Sequence, residues 1–83
     1  MASKTLRKTL RSKQNDQLIE MIVSLRTELG MTQRDLASAM KWPQSTVGRI
    51  ELGQRRLDVV EFVAVAKALK QDPVELFARF VKT

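Results

Sequence analysis

A chain of 83 residues can build one hydrophobic core at most, because short chains bury a limited share of their surface. Apolar residues at 43% and charged residues at 29% exclude compositional disorder. The lack of cysteine and histidine excludes disulfides, thiolate metal sites and the commonest catalytic nucleophile and base. Fifteen Lys and Arg against nine Asp and Glu leave a net +6, a balance suited to an anionic polymer or surface.

The positive charge gathers at the start. Residues 1 to 15 hold Lys4, Arg7, Lys8, Arg11 and Lys13 and no acid, so ten bases face nine acids over the rest. Residues 1–14 read as a flexible basic arm ahead of a folded domain over 15–83. The arm lacks the apolar stretch of a signal peptide, and no apolar run approaches the ~20 residues that cross a bilayer. The expectation is a soluble, cytoplasmic chain with no membrane partner.

Leu18, Ile22, Leu25 and Leu29 recur at helical spacing, widened by Ile19 and Met21, and Gly30 stops the pattern. A first helix is expected over Gln17 to Leu29, capped by Asn15 or Asp16. Thr32 heads a short second helix, Gln33 to Met40, with Met31 and Leu36 placed as a hydrophobic staple and Leu36, Ala37 and Met40 facing inward. Pro43 ends that stretch and suits the first turn of a third helix, Pro43 to Leu52. Only Val47 and Ile50 form its apolar stripe, so Gln44, Ser45, Thr46 and Arg49 are left for an external partner. Asp58 and Glu61 repeat the capping logic for a fourth helix running to about Lys70, burying some of Val59, Phe62, Val63, Val65, Ala66 and Leu69. Asp72, with Pro73 at the first helical position and Glu75 behind it, opens a fifth carrying Val74, Leu76, Phe77, Phe80 and Val81. No strand-like alternation is present, so the fold class is all-α.

Two short helices around a tight turn, the second with a polar face, describe a helix-turn-helix unit. The runs Thr32-Gln33-Arg34-Asp35-Leu36-Ala37 and Gln44-Ser45-Thr46-Val47-Gly48-Arg49-Ile50-Glu51-Leu52-Gly53, followed by Arg55-Arg56-Leu57-Asp58 and by Asp72-Pro73, resemble the lambda-repressor-like, or XRE-type, helix-turn-helix family. The resemblance extends from Leu18 to Phe80. It implies a compact five-helix DNA-binding domain whose third helix enters the major groove, which admits one α-helix.

On that footing Gln44 is the leading base reader, since its amide can pair with adenine N6 and N7. Ser45 and Thr46 follow, with hydroxyls for base edges or for local capping and a threonine methyl for thymine. Arg49 suits guanine or a phosphate, or an internal pair with Asp35 or Glu51. Gln33 matches the family position that touches a phosphate and braces the recognition-helix glutamine; with Arg34 it opens a helix N-terminus, where an anion is favoured. Lys41, Arg55 and Arg56 are expected on the sugar-phosphate backbone, one of the three remaining a solvated loop charge. Glu51 reads as structural and Trp42 as core rather than as a stacking platform.

Two residues depart from the family pattern. Lys41 stands where many relatives have the turn glycine. Gly48 replaces a small Ser or Ala, at a helical cost of about 1 kcal/mol.

The implied partner is double-stranded DNA with a roughly palindromic operator, bound by a homodimer whose recognition helices sit about 34 Å apart. Leu76, Phe77 and Phe80 are the expected dimer contact. The arm would track phosphates or a minor groove. With no effector domain, repression by occluding a promoter is the expected outcome; a self-regulating antitoxin or a restriction-modification controller would use the same module. No cofactor, metal or small-molecule ligand is legible, and no catalytic cluster supports an enzyme. A protein-interaction module on the same scaffold is the rival reading, opposed by the polar, acid-free face of the third helix. RNA recognition would want open aromatic platforms that one Trp and three Phe at core spacing do not supply.

Overall fold

The computed structural model describes residues 12–83. Lys4, Arg7, Lys8 and Arg11 of the expected arm lie outside the described residues. The five helices found within them are α1 (Lys13–Glu28), α2 (Gln33–Met40), α3 (Gln44–Glu51), α4 (Val59–Ala68) and α5 (Pro73–Val81), with no strand among the described residues. None of these helices is long and apolar enough to cross a membrane.

Helix α1 begins earlier than its apolar stripe suggests. Ser12 is the cap, its Oγ accepting from the Asn15 amide at 3.0 Å. Asn15, expected as a cap, instead stands inside the first turn and is buried. Two residues read as arm, Lys13 and Gln14, are therefore helical. The physical reason is that a serine three residues ahead supplies the same acceptor, and hydrophobic periodicity carries no signal for a polar first turn.

Helix α2 has the expected span and a complete capping box: the Asp35 amide donates to Thr32 Oγ1 at 3.0 Å, and the Thr32 amide donates to Asp35 Oδ2 at 2.8 Å. Asp58 and Glu61 repeat the arrangement at α4. Asp72 accepts from the Val74 and Glu75 amides ahead of Pro73, as the sequence indicates for α5. At α3 the proline is one step off its expected place: Pro43, at φ −62° and ψ 146°, is the extended cap, and no side chain closes this N-terminus. Helix α4 stops at Ala68, before the expected Lys70, because Lys70 turns left-handed at φ 63°.

The caps make the fold acid-sensitive. Hydrogen bonding to Thr32, through its amide first and its hydroxyl second, holds the Asp35 carboxyl below the usual carboxylate range. The Arg55 guanidinium, followed by the Asp58 amide, does the same for Glu61. A carboxyl depressed by folding contributes stability that is complete above its unfolded value, about 4, and lost as pH falls through the folded value. The expected outcome is a melting temperature that holds between about pH 5 and 7 and declines below about pH 4. Glu61→Gln should flatten part of that decline. A melting temperature unchanged by acid would contradict the assignment.

The core is one cluster. Met21, Ile22 and Leu25 of α1 meet Leu36 and Ala37 of α2, Val47 of α3, Val65 and Ala66 of α4 with Leu69, and Leu76 of α5. One apolar expectation fails here. Leu76, expected at a dimer contact, is 2% exposed, so its side chain is consumed by its own core. Of the six apolar residues some of which were expected to be buried by the fourth helix, Val65, Ala66 and Leu69 are buried, whereas Val59 is 79% exposed. Helix α4 is apolar on more than one face, so composition could not say which face turns inward.

Candidate nucleic-acid interface

A chain of polar contacts joins α1, α2 and α3. Arg26 grips Glu51 with two donors, Nε to Oε2 at 2.8 Å and Nη2 to Oε1 at 2.9 Å, while its Nη1 donates to the Met31 carbonyl at 2.8 Å. Glu51 Oε1 also accepts from Gln33 Nε2 at 2.8 Å, and Gln33 Oε1 accepts from Gln44 Nε2 at 2.9 Å. The Arg26 and Glu51 side chains are 11% and 8% exposed, so this is a largely desolvated pair.

The direction of each bond is forced. An ionised carboxylate only accepts, so the Gln33 atom facing Glu51 must be its NH2. Gln33 therefore offers its oxygen to α3, and Gln44 must meet it with an N–H. One N–H and the carbonyl oxygen of Gln44, at the exposed start of α3, have no partner among the described residues. That donor–acceptor pair complements N7 and N6 of adenine, whereas guanine presents two acceptors.

The other expected contacts divide into two groups. Arg34, Ser45 and Arg49 are exposed, Thr46 is half-buried, and none of them forms a side-chain hydrogen bond or ion pair within the described residues. Arg49 is thus not paired with Asp35 or Glu51, which are engaged by Thr32 and by Arg26 with Gln33. Thr32, Gln33, Arg34 and Gln44 border an open depression where the unpaired first amides of α2 emerge.

Arg55 and Arg56 depart from the phosphate-binding expectation. Arg55 donates to both Glu61 oxygens, at 2.7 and 3.2 Å, and to the Arg56 carbonyl at 3.1 Å, with its guanidinium 5.4 Å from the Trp42 ring centroid. Arg56 is half-buried and donates to Ser12 Oγ at 3.2 Å. Both guanidiniums tie the loop after α3 to the domain, which sequence position alone does not reveal. Trp42 packs against the core, as its place beside the turn suggested.

Lys41 ends α2 in the left-handed region, φ 58° and ψ 38°, where the Trp42 amide reaches back to the Ala37 carbonyl at 2.9 Å. Glycine would relieve about 1 kcal/mol of backbone strain. Lys70, just past the end of α4, also has a positive φ, 63°, and serves as its control. Lys41→Gly and Lys70→Gly are both expected to raise stability by about 1 kcal/mol in urea unfolding. Only Lys41→Gly should weaken DNA binding and lower its salt slope by about one phosphate contact. Equal binding by both variants would remove Lys41 from the interface.

Gly48 lies beneath this network. An added Cβ would stand 3.5 Å from Gln33 Oε1, an ordinary contact, so nothing in the free domain requires glycine there.

The Arg26–Glu51 pair is the element that sequence reading missed. The two residues are far apart in the chain, and although Glu51 reads as structural, nothing in the sequence names Arg26 as its partner.

A helix-turn-helix family model matches residues 22–76. Among solved structures, an XRE-family like protein from Pseudomonas syringae pv. tomato str. DC3000 is 31% identical, with a TM-score of 0.79 over 98% of this chain and 94% of that one. A point mutant of the restriction-modification controller protein C.Esp1396I is 28% identical, with a TM-score of 0.76 over 86% of this chain and 90% of its own. The tetramer of that controller in complex with its natural 35 base-pair operator gives the same identity and TM-score, covering 86% of this chain and 93% of its own. No curated protein sequence is a significant match.

Proposed function

Because the chain belongs to the XRE-type helix-turn-helix family, we propose that it is a DNA-binding transcriptional regulator that reads a roughly palindromic operator as a homodimer and represses by occupying it. The family is one of regulators rather than enzymes. The observation that carries the reading is the fixed carboxamide of Gln44, held through Gln33 by a buried ion pair at the otherwise uncapped start of α3. A side chain braced in this way has paid its ordering cost before DNA arrives.

In this reading α3 lies in the major groove with Gln44 on an adenine, Ser45 and Thr46 on neighbouring base edges, and Arg49 on a guanine or phosphate. Gln33, Arg34 and Lys41 hold the flanking backbone, Gln33 and Arg34 with the amides at the start of α2. Arg55 and Arg56 keep the following loop in place and are left out of the contact set. The solved operator complex of the similar controller protein supports DNA as the partner.

A second copy is proposed to dock on α4 and α5, which carry none of these contacts. Val59, Val60 and Val74 are each 79% exposed and Phe77 is 53% exposed. Val59, Phe62, Val63, Pro73, Val74 and Phe77 line a groove of about 300 Å³. So much apolar surface on a small domain supports an interface there. Of the three residues expected there, Phe77 remains central, Phe80 is half-buried and Leu76 is withdrawn.

Selection of bound sequences from a random duplex library, paired with sedimentation of the free chain, tests both parts. The expected result is a palindromic motif with adenine at one fixed position per half-site, and a dimer that Phe77→Glu converts to monomer. Binding without an enriched motif would refute sequence-specific reading, and a monomer that nevertheless selects a palindrome would refute the dimer face.

A further inference from the structure

The contacts that run from α1 to the start of α3 have a polarity, and its origin lies away from the exposed face. Arg26 has only donors to offer, and both Glu51 oxygens accept from it, Oε2 from Nε at 2.8 Å and Oε1 from Nη2 at 2.9 Å. A carboxylate has only acceptors, whereas a carboxamide has one end of each kind. Each amide that follows must therefore turn its NH2 towards Glu51 and its oxygen onward. Gln33 Nε2 donates to Glu51 Oε1 at 2.8 Å, and Gln33 Oε1 accepts from Gln44 Nε2 at 2.9 Å. The two ends of an amide are nearly equal in size, so shape would admit either orientation of Gln33 and Gln44. With the Glu51 side chain only 8% exposed, little water is at hand to reverse the chain at its source.

This polarity bears on the choice between purines. A glutamine amide suits either one: its N–H and oxygen match N7 and N6 of adenine, and its two N–H groups match N7 and O6 of guanine. With one N–H of Gln44 engaged by Gln33, only the adenine arrangement is left. Guanine would set its O6 against the Gln44 oxygen or break the bond to Gln33, and such an unmatched polar pair is what discriminates against a wrong partner.

We propose that Glu51 is a positioning residue for base choice: acting from two hydrogen bonds away, its carboxylate sets the direction that makes Gln44 select adenine over guanine. The inference rests on the reading of a base by Gln44 and adds that the choice is made by the acceptor chemistry of Glu51, relayed through Gln33.

The test is competition binding at fixed salt on operator duplexes that differ only in adenine or guanine at the position Gln44 reads. The wild type should favour adenine by about tenfold or more, and Gln44→Ala neither purine. In Gln33→Lys the ammonium pairs with Glu51 and has only donors for Gln44, whose amide must turn its oxygen inward and show two N–H groups to the base. The preference should then invert, to guanine by about threefold or more, while the added charge strengthens both duplexes alike and cancels in the ratio. Glu51→Gln offers an NH2 to Gln33 and lets the chain run in either direction, so the two purines should come within about threefold of each other. Gln33→Lys leaves the Arg26–Glu51 pair intact and decides the matter alone if Glu51→Gln does not fold. An adenine margin unchanged in Gln33→Lys, or a folded Glu51→Gln that weakens both duplexes equally, would overturn the proposal and leave Glu51 a structural brace. A wild type without a purine preference that Gln44→Ala removes would refute the underlying reading, and the inference with it.

Discussion

Glu51→Ala is expected to destabilise the domain by about 3 to 5 kcal/mol, the largest effect of any single substitution on this surface. The side chain is 8% exposed and accepts from Arg26 at 2.8 and 2.9 Å and from Gln33 at 2.8 Å. Removing it leaves a guanidinium and an amide N–H facing each other in a site that water scarcely reaches. The cost is that of an uncompensated buried charge rather than the net worth of the pair. Domains of this size are stable by roughly 5 to 15 kcal/mol, so the variant should be close to unfolding and its melting temperature lower by more than about 10 °C.

The more exposed pair supplies the comparison. Arg55 and Glu61 have side chains 30% and 21% exposed, and Glu61→Gln should cost under about 1 kcal/mol near neutral pH. Urea unfolding of the two variants side by side decides the matter. If Glu51→Ala cost no more than Glu61→Gln, the pair between α1 and α3 would be an ordinary surface contact. Gln44 would then lose its fixed support.

The second large effect falls on recognition. Gln44→Ala is expected to weaken binding to the selected operator by about 1 to 3 kcal/mol per half-site and to erase the preference at one base pair in each. Folding should be nearly unaffected, because Gln44 is exposed and makes one side-chain hydrogen bond, to Gln33. Arg34→Ala, by contrast, should weaken all sequences alike and reduce the salt dependence by about one charge. The two variants thus separate reading from positioning. A Gln44→Ala profile that kept adenine at every position would show that the base is read by another side chain.

Gln33→Ala links the two results. Without Gln33, Gln44 loses the acceptor that orients its amide and must be ordered at the moment of binding. Affinity should fall with adenine still preferred, though by a smaller margin. A glutamine free to flip can present either face of its amide.

Much of this architecture was legible in the chain itself. The staple and capping residues around Thr32, Asp58 and Asp72 fixed three helix starts, because the hydrogen bonds that close a helix end are made within three or four residues. The narrow stripe of Val47 and Ile50 on a polar helix likewise indicated which side of α3 turns inward, and those two residues are the buried ones while Gln44, Ser45 and Arg49 are exposed. The family resemblance located Lys41 at a place that wants glycine, where the backbone does turn left-handed.

What the tertiary structure alone decided is where side chains end up once helices distant in sequence are packed together. Leu76 and Val59 are both apolar residues on apolar-rich helices, yet one is 2% and the other 79% exposed, because helix rotation against the core is set by its neighbours. Glu51 reads as structural but has no visible partner until α1 and α3 bring Arg26 within 2.8 Å of it, and Arg55 looks free until Glu61 and Trp42 claim it. Sequence determines the local hydrogen-bond closures and the hydrophobic period; long-range pairing of polar groups depends on distances that exist only after the core has formed.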